Sequence, residues 1–317
     1  MNDTPANTTL SAGREFDAVR ALLIRWGALA QGIGDDAALL DVPAGHQLVV
    51  STDVAVEHIH FRGDWLSPRQ IAYRATAAAL SDLAAMGAGA IGVLSALTVP
   101  REWRAHIEEL GEGIADAAAI ARAPIVGGDL SGGAHLALAI TVLGAVRRPL
   151  LRSGARVGDR VYVTGRLGGS GAALRALMSG RPPAADAMDR FARPVPRLAE
   201  ALWLARRGVT SAIDISDGLA ADLGHVAAAS EVRIHIRAED VPRFGALSVS
   251  DAVSSGEEYE LAVTAAAPLA VATFEDCFGL PLTEIGTVEA AGGAAEVVLL
   301  ENGARVDLPR GHDHFSR

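Results

Sequence analysis

The sequence predicts an α/β (α+β) protein of two domains, and three observations carry that expectation. The chain has 317 residues, 50% of them hydrophobic, enough to bury two cores. Short apolar runs with strand-like patterning alternate with helical periodicity along its length. A turn-rich basic connector, Arg147-Arg-Pro-Leu-Leu-Arg-Ser-Gly-Ala-Arg156, interrupts the alternation and sets the expected boundary between residues 1–148 and 149–317.

Taken in order, the first half reads as an amphipathic helix over 14–26 and a strand over 47–52. An Ala-rich helix follows over 68–86, then a strand over 91–97, a helix over 102–121, and strands near 125 and over 136–146. The second half reads as a strand over 160–164, helices over 171–178 and 195–207, a strand over 212–215 and a helix over 218–230. Strands over 232–236 and 259–264, a helix over 269–278 and a β pair within 283–300 complete it.

Charge removes several classes of function. Acidic residues outnumber basic ones by 38 to 28, a formal net charge of -10, which disfavours nucleic acid and anionic membrane as partners. Every basic residue is arginine; with no lysine, a Walker A lysine, a protein-kinase strand lysine and a Schiff base are excluded. Cys277 is the single cysteine, so an internal disulfide, a zinc knuckle and a CxxC redox pair are also excluded, and a reducing cytoplasm is expected. No signal-peptide pattern opens the sequence, and the uncharged stretch 83–100 is broken by Gly87, Gly89 and Gly92, so it reads as a helix end and a buried strand.

Acidic residues gather beside Gly, Ser or Thr at expected strand ends and loops: Gly34-Asp35-Asp36, Ser51-Thr52-Asp53, Ser81-Asp82, Gly127-Gly128-Asp129 and Asp214-Ile-Ser216-Asp217-Gly218. A hard cation such as Mg²⁺ takes oxygen ligands from a few carboxylates and completes its shell with water and substrate phosphate, which suits separate loops each delivering one or two carboxylates. Each segment also has a plain reading as a turn, a helix cap or a solvated face. Asp82 lies within Leu80-Ser-Asp-Leu-Ala-Ala-Met86, too apolar for an ordinary exposed face, so its charge calls for a partner. Gly127-Gly128 is either a plain turn or a backbone able to approach a phosphate closely.

Gly165-Arg-Leu-Gly168-Gly169-Ser-Gly171 does not keep the G-x-G-x-x-G spacing, which sets a dinucleotide aside and leaves an anion site at the following helix N-terminus open. His58 and His60 share strand-like spacing but lack a third nitrogen or sulfur ligand for zinc. Arg152, in the connector, reads equally as a solvated linker residue or a clamp for a triphosphate. Ser255-Gly256-Glu257-Glu258-Tyr259-Glu260 reads as a charged loop entering a strand.

In collinear order, Gly32-Ile-Gly-Asp-Asp-Ala37, Ser51-Thr-Asp53, His60-Phe61, Leu80-Ser-Asp-Leu-Ala-Ala-Met-Gly-Ala88, Gly127-Gly-Asp129, Arg152-Ser-Gly-Ala155, Ile213-Asp-Ile-Ser-Asp-Gly-Leu219, Gly256-Glu257 and Gly311-His-Asp-His-Phe315 resemble the thiamine-monophosphate kinase family over residues 16–315. The resemblance implies the two-domain fold shared with aminoimidazole ribonucleotide synthetase, a homodimer formed through N-terminal domains, and transfer of phosphate from ATP to thiamine monophosphate. It implies Asp36, Ser51, Thr52, Asp53, Asp82, Asp129, Asp214 and Asp217 as ligands of several Mg²⁺ ions, with Asp129 and Asp217 as catalytic carboxylates. It implies Gly128, Asp129, Arg152 and Ser216 at ATP, and His60, Glu257 and His312 at thiamine monophosphate. The chain departs from the family pattern at Ala79, Ser255, Glu258 and His312, where asparagine, glycine, aspartate and an aromatic ring are usual. The acceptor is itself an ionised phosphate, so charge neutralisation and positioning, rather than a strong general base, are what the reaction asks of the protein.

Overall fold

β1 (Gln47–Val56), β2 (Gly89–Val99), β3 (Ile125–Gly132) and β4 (Ala137–Val146) form a 4-stranded sheet in the order β1-β4-β2-β3. β1 and β2 both run antiparallel to β4, and β3 runs parallel to β2. Strict alternation along β4 gives the sheet one buried face, from Leu138, Ile140 and Val142, and one open face, from Ala139 and Thr141. The helices of this half are α1 (Arg14–Trp26), α2 (Pro68–Ala85) and α3 (Ile107–Ala121). α2 is buried through Ala72, Ala77, Leu80 and Leu83, and small alanine side chains allow that close seating.

The structure is a computed structural model that describes Leu10 and residues 13–308. The chain divides into two units, Met1–Leu83 with Ala88–Arg147, and Ala84–Gly87 with Arg148–Arg317. In the second, β5 (Arg160–Thr164), β6 (Val209–Asp214), β7 (Val232–Arg237), β8 (Leu261–Ala265), β9 (Leu282–Ala290), β10 (Glu296–Glu301) and β11 (Ala304–Val306) form a 7-stranded sheet in the order β11-β10-β7-β9-β5-β8-β6. Val161, Val163, Ile213, Ile234 and Ile236 form its core with α7 (Leu219–Ser230). The remaining helices are α4 (Gly169–Met178), α5 (Ala185–Ala192), α6 (Leu198–Ala205), α8 (Val249–Val253) and α9 (Val271–Phe278).

The expected helix over 102–121 is two pieces, a 3₁₀ segment Arg101–His106 followed by α3. Trp103 in the first piece is turned toward Glu57, its indole N–H 3.2 Å from both carboxylate oxygens. The helix expected over 195–207 begins only after Pro196, as α6. Two-turn α5 follows Pro182-Pro183 and was too short to show a helical period, although Ala187, Phe191 and Ala192 are buried. Among the described residues, no helix is long and apolar enough to cross a membrane.

Candidate functional site

In the first unit, β1 delivers three successive candidates to opposite faces of the sheet. Asp53 stands in register with buried Ile140, on the helix side, and Ser51 lies two residues before it on the same face. The Ser51 hydroxyl donates to the Asp82 carboxylate of α2. Burial, and then the charge of Asp82, push the Asp53 carboxyl up to about 6. Ser51, Asp53 and Asp82 therefore form one half-buried group of hard oxygen donors, which explains why an acidic residue sits in so apolar a helix.

Thr52 points the other way, its hydroxyl 2.7 Å from that of Thr141 on the open face. Asp129 is paired with exposed Ala96 and lines, with Thr141, Asp35 and Asp36, a cleft of about 300 Å³ on that face. The sheet thus separates the first unit's candidates: Ser51, Asp53 and Asp82 on the helix side, and Thr52, Asp129 and Asp36 on the open side. Gly128 has a different reason to be glycine from the one its motif suggests. A Cβ there would lie 2.0 Å from the Ser95 carbonyl oxygen of the neighbouring strand, so close packing of β3 on β2 demands it.

His60 closes the turn after β1. Its Nδ1 accepts the Val56 N–H at 3.1 Å, which leaves Nε2 to carry the proton of the neutral ring, and its carbonyl accepts from the Arg74 guanidinium at 3.0 Å. His58, in the same turn, is held at φ 67°.

In the second unit, β6 ends at buried Asp214, and the turn to α7 carries half-buried Ser216 and Asp217. Sequence reasoning missed the residue that shapes this turn. Asp222, 1% exposed, accepts the backbone N–H groups of Ser216, Asp217 and Gly218 with one carboxylate oxygen at 3.0 to 3.1 Å. Burial, then the charges of Asp214 and Asp217, push its carboxyl up to about 8. The available signal was an aspartate in the first turn of a helix following Ser-Asp-Gly. Asp217, Asp222 and His225 offer ligand atoms within 4.8 Å of one another.

Arg152 opens a 3₁₀ turn, Arg152–Gly154. Its carbonyl accepts from the hydroxyls of Ser230 at 2.7 Å and Ser211 at 3.3 Å, while the residue itself is exposed. Glu257 is half-buried, has φ 57°, and donates its backbone N–H to the Ser216 carbonyl at 2.7 Å. His312 lies outside the described residues.

The α4 N-terminus is filled by the chain's own carboxylate. Glu258 Oε1 accepts the N–H groups of Gly168 at 2.9 Å and Ser170 at 3.1 Å and the Ser255 hydroxyl at 2.5 Å, leaving no place for an external anion on those donors. Two of the departures from the family pattern, Ser255 and Glu258, thus bond each other, and a third, Ala79, is fully buried in α2.

Comparison with known proteins identifies the family. Residues 34–146 match the model for AIR synthase related protein, N-terminal domain, and residues 156–298 match its C-terminal domain. The chain is similar to thiamine-monophosphate kinase of Escherichia coli K12, 38% identical over 324 residues covering 96% of each chain. It is also similar to the Bacillus subtilis 168 protein of that name, 31% identical over 95% of this chain and 99% of the relative. Among solved structures, thiamine-monophosphate kinase from Stenotrophomonas maltophilia K279a superimposes with a TM-score of 0.80 at 33% identity, covering 95% of this chain and all, 100%, of the other. AaThiL complexed with AMPPCP and TMP superimposes with a TM-score of 0.74 at 27% identity, covering 98% and 100%.

Proposed function

The chain belongs to the thiamine-monophosphate kinase family of AIR synthase related proteins and is a thiamine-phosphate kinase; from that premise we propose that it moves the γ-phosphoryl group of ATP directly, in line, to a phosphate oxygen of thiamine monophosphate. The products are ADP and thiamine diphosphate, and no phosphoenzyme forms. The observation that carries the mechanism is the Ser51, Asp53 and Asp82 group: all-oxygen donors among which burial first, and then the charge of Asp82, lift the Asp53 carboxyl to about 6.

Carboxylates crowded in this way fit a hard divalent cation, because its attraction for each of them outweighs their mutual repulsion. Asp36, Ser51, Thr52, Asp53, Asp82 and Asp129 of the first unit and Asp214 and Asp217 of the second would hold several Mg²⁺ ions. Bound there, magnesium supplies neutralisation of two approaching polyanions in a chain that has no lysine to do so. Gly128, Asp129, Arg152 and Ser216 bind and orient ATP in this reading, with the exposed Arg152 side chain offering a planar fork to phosphate oxygens. His60 presents Nε2–H, and Glu257 a carboxylate, to thiamine monophosphate, joined by His312. Asp129 and Asp217 are the carboxylates assigned to the reacting phosphates.

The open face of β1 supports pairing with a second copy of the chain through the N-terminal unit. Leu48, Val50 and Val54 are 49%, 55% and 49% exposed on one apolar stripe, more than an isolated sheet face would leave uncovered. A reducing cytoplasmic setting suits the lone, exposed Cys277. Steady-state release of ADP and formation of thiamine diphosphate, each requiring both substrates, tests the reading; intact mass under turnover tests the absence of a covalent phosphate.

A further inference from the structure

The segment from Ser255 to Glu260 is gripped from two sides. On one side, Glu257 N–H donates to the Ser216 carbonyl at 2.7 Å, and Glu258 and Tyr259 N–H groups donate to the Ile215 carbonyl at 3.1 and 2.9 Å. The approach is close enough that a Cβ on Gly256 would stand 2.7 Å from the Ser216 oxygen. On the other side, two buried carboxylates hold the Gly-rich turn before α4. Glu258 takes Gly168, Ser170 and Ser255 as described, and Ser255 Oγ in turn accepts the Gly171 N–H at 3.0 Å. Glu260 takes the Thr164 hydroxyl at 2.7 Å and the Arg197 guanidinium at 2.6 and 2.8 Å. Arg190 reaches both carboxylates, 2.8 Å from Glu260 and 3.5 Å from Glu258.

Between these grips the backbone is strained. Glu257 and Tyr259 have φ of 57° and 52°, a left-handed conformation that side-chain-bearing residues adopt only where their surroundings impose it. Glu258 lies between them with its side chain fully buried, 3.5 Å from the Arg190 guanidinium.

We propose that Glu258, with Ser255 as its bridge to Gly171, is a positioning residue for the acceptor end of the site: it locks the left-handed Glu257 turn against Ser216 and so fixes where the Glu257 carboxylate points. The proposal rests on the reading of Glu257 as a contact to thiamine monophosphate. It accounts for Ser255 and Glu258 as one coupled device, since the hydroxyl and the carboxylate bond each other at 2.5 Å.

The test is full steady-state kinetics on the intact enzyme carrying Glu258→Ala, Glu258→Gln or Ser255→Ala, with amide hydrogen exchange of residues 255–260 measured in the absence of substrate. Glu258→Ala should raise KM for thiamine monophosphate by at least about tenfold and leave KM for ATP within about twofold, because only the acceptor contact loses its geometry. Glu258→Gln keeps an oxygen acceptor for Gly168, Ser170 and Ser255 and should stay within about threefold of wild type. Exchange at Glu257 and Tyr259 should quicken in Glu258→Ala and not in Glu258→Gln. Should Glu258→Ala fail to fold, Ser255→Ala carries the test, with an expected rise of about threefold in KM for thiamine monophosphate alone. Equal changes in both KM values, a Gln variant as impaired as the Ala variant, or unchanged exchange and KM in Ser255→Ala overturns the proposal. Wild-type protein that makes no thiamine diphosphate, yet shows the exchange difference, overturns the acceptor reading and leaves the positioning role standing.

Discussion

The Ser51 hydroxyl donates to the carboxylate of Asp82, tying β1 to α2 at the point where Asp53 faces the same carboxylate. Two like charges share a half-buried site, and in the proposed mechanism their repulsion is a cost that a bound cation offsets. Asp53→Asn should therefore raise the melting temperature of the magnesium-free protein by about 2–4 °C while cutting turnover at least about a hundredfold. Differential scanning fluorimetry in chelator and a turnover assay check both halves. A lower melting temperature would mean that the site is not held in opposition to its own stability.

Asp129 is exposed on the open face and lines the cleft with Asp36, so its removal should touch chemistry and spare the fold. Asp129→Asn should slow turnover by several orders of magnitude with an unchanged melting curve. A loss below about tenfold, 1.4 kcal/mol, takes it off the catalytic set.

Asp222 satisfies three backbone N–H groups of the turn that carries Ser216 and Asp217. Asp222→Ala should destabilise the protein by about 2–3 kcal/mol, since the abandoned donors sit where water has poor access. Asp222→Asn keeps an acceptor oxygen and should lose much less. Urea denaturation of the two variants separates the outcomes, and equal losses would count against the turn-holding role.

Burial lifts the Glu258 carboxyl above the ordinary glutamate range, against the opposing pull of the Ser255 hydroxyl and the Arg190 guanidinium, while Glu260 adds to the lift. The folded state thus holds its proton more tightly than the unfolded chain does. The stabilisation is complete below the ordinary glutamate range and fades as pH rises through the folded value. Glu258→Gln removes that dependence, so its stability against pH should be flatter than wild type from the ordinary glutamate range upward. Identical profiles would show that Glu258 does not titrate in this window.

Periodicity located the long helices and the central strands because their patterns run for several turns or alternations, as in α2 and β4. The candidate carboxylates read as strand-end or loop residues because each stands beside a change from apolar to small residues, but only Asp217 lies in a turn: Asp53 and Asp129 are inside β1 and β3, Asp82 is inside α2 and Asp214 ends β6. What periodicity lacked was facing. Asp53 and Asp129 looked equivalent at their strand ends, yet the β1–β4 and β2–β3 registers send them to opposite sides of the sheet. Glu258 stood out only as a departure from the family pattern, because the backbone N–H groups it accepts are 88 and 90 positions away and leave no local spacing, whereas Asp222 accepts from the turn just before it, a local signal that was passed over. Gly128 shows the converse, a motif glycine whose necessity comes from the Ser95 carbonyl on the next strand.

The most direct test of the central claim is formation of thiamine diphosphate from Mg·ATP and thiamine monophosphate, followed by chromatography alongside ADP. Equal amounts of both products are expected, only when both substrates and magnesium are present, with loss of both in Asp53→Asn. ADP release that does not depend on thiamine monophosphate, or tight ATP binding with no thiamine diphosphate formed, would contradict the claim.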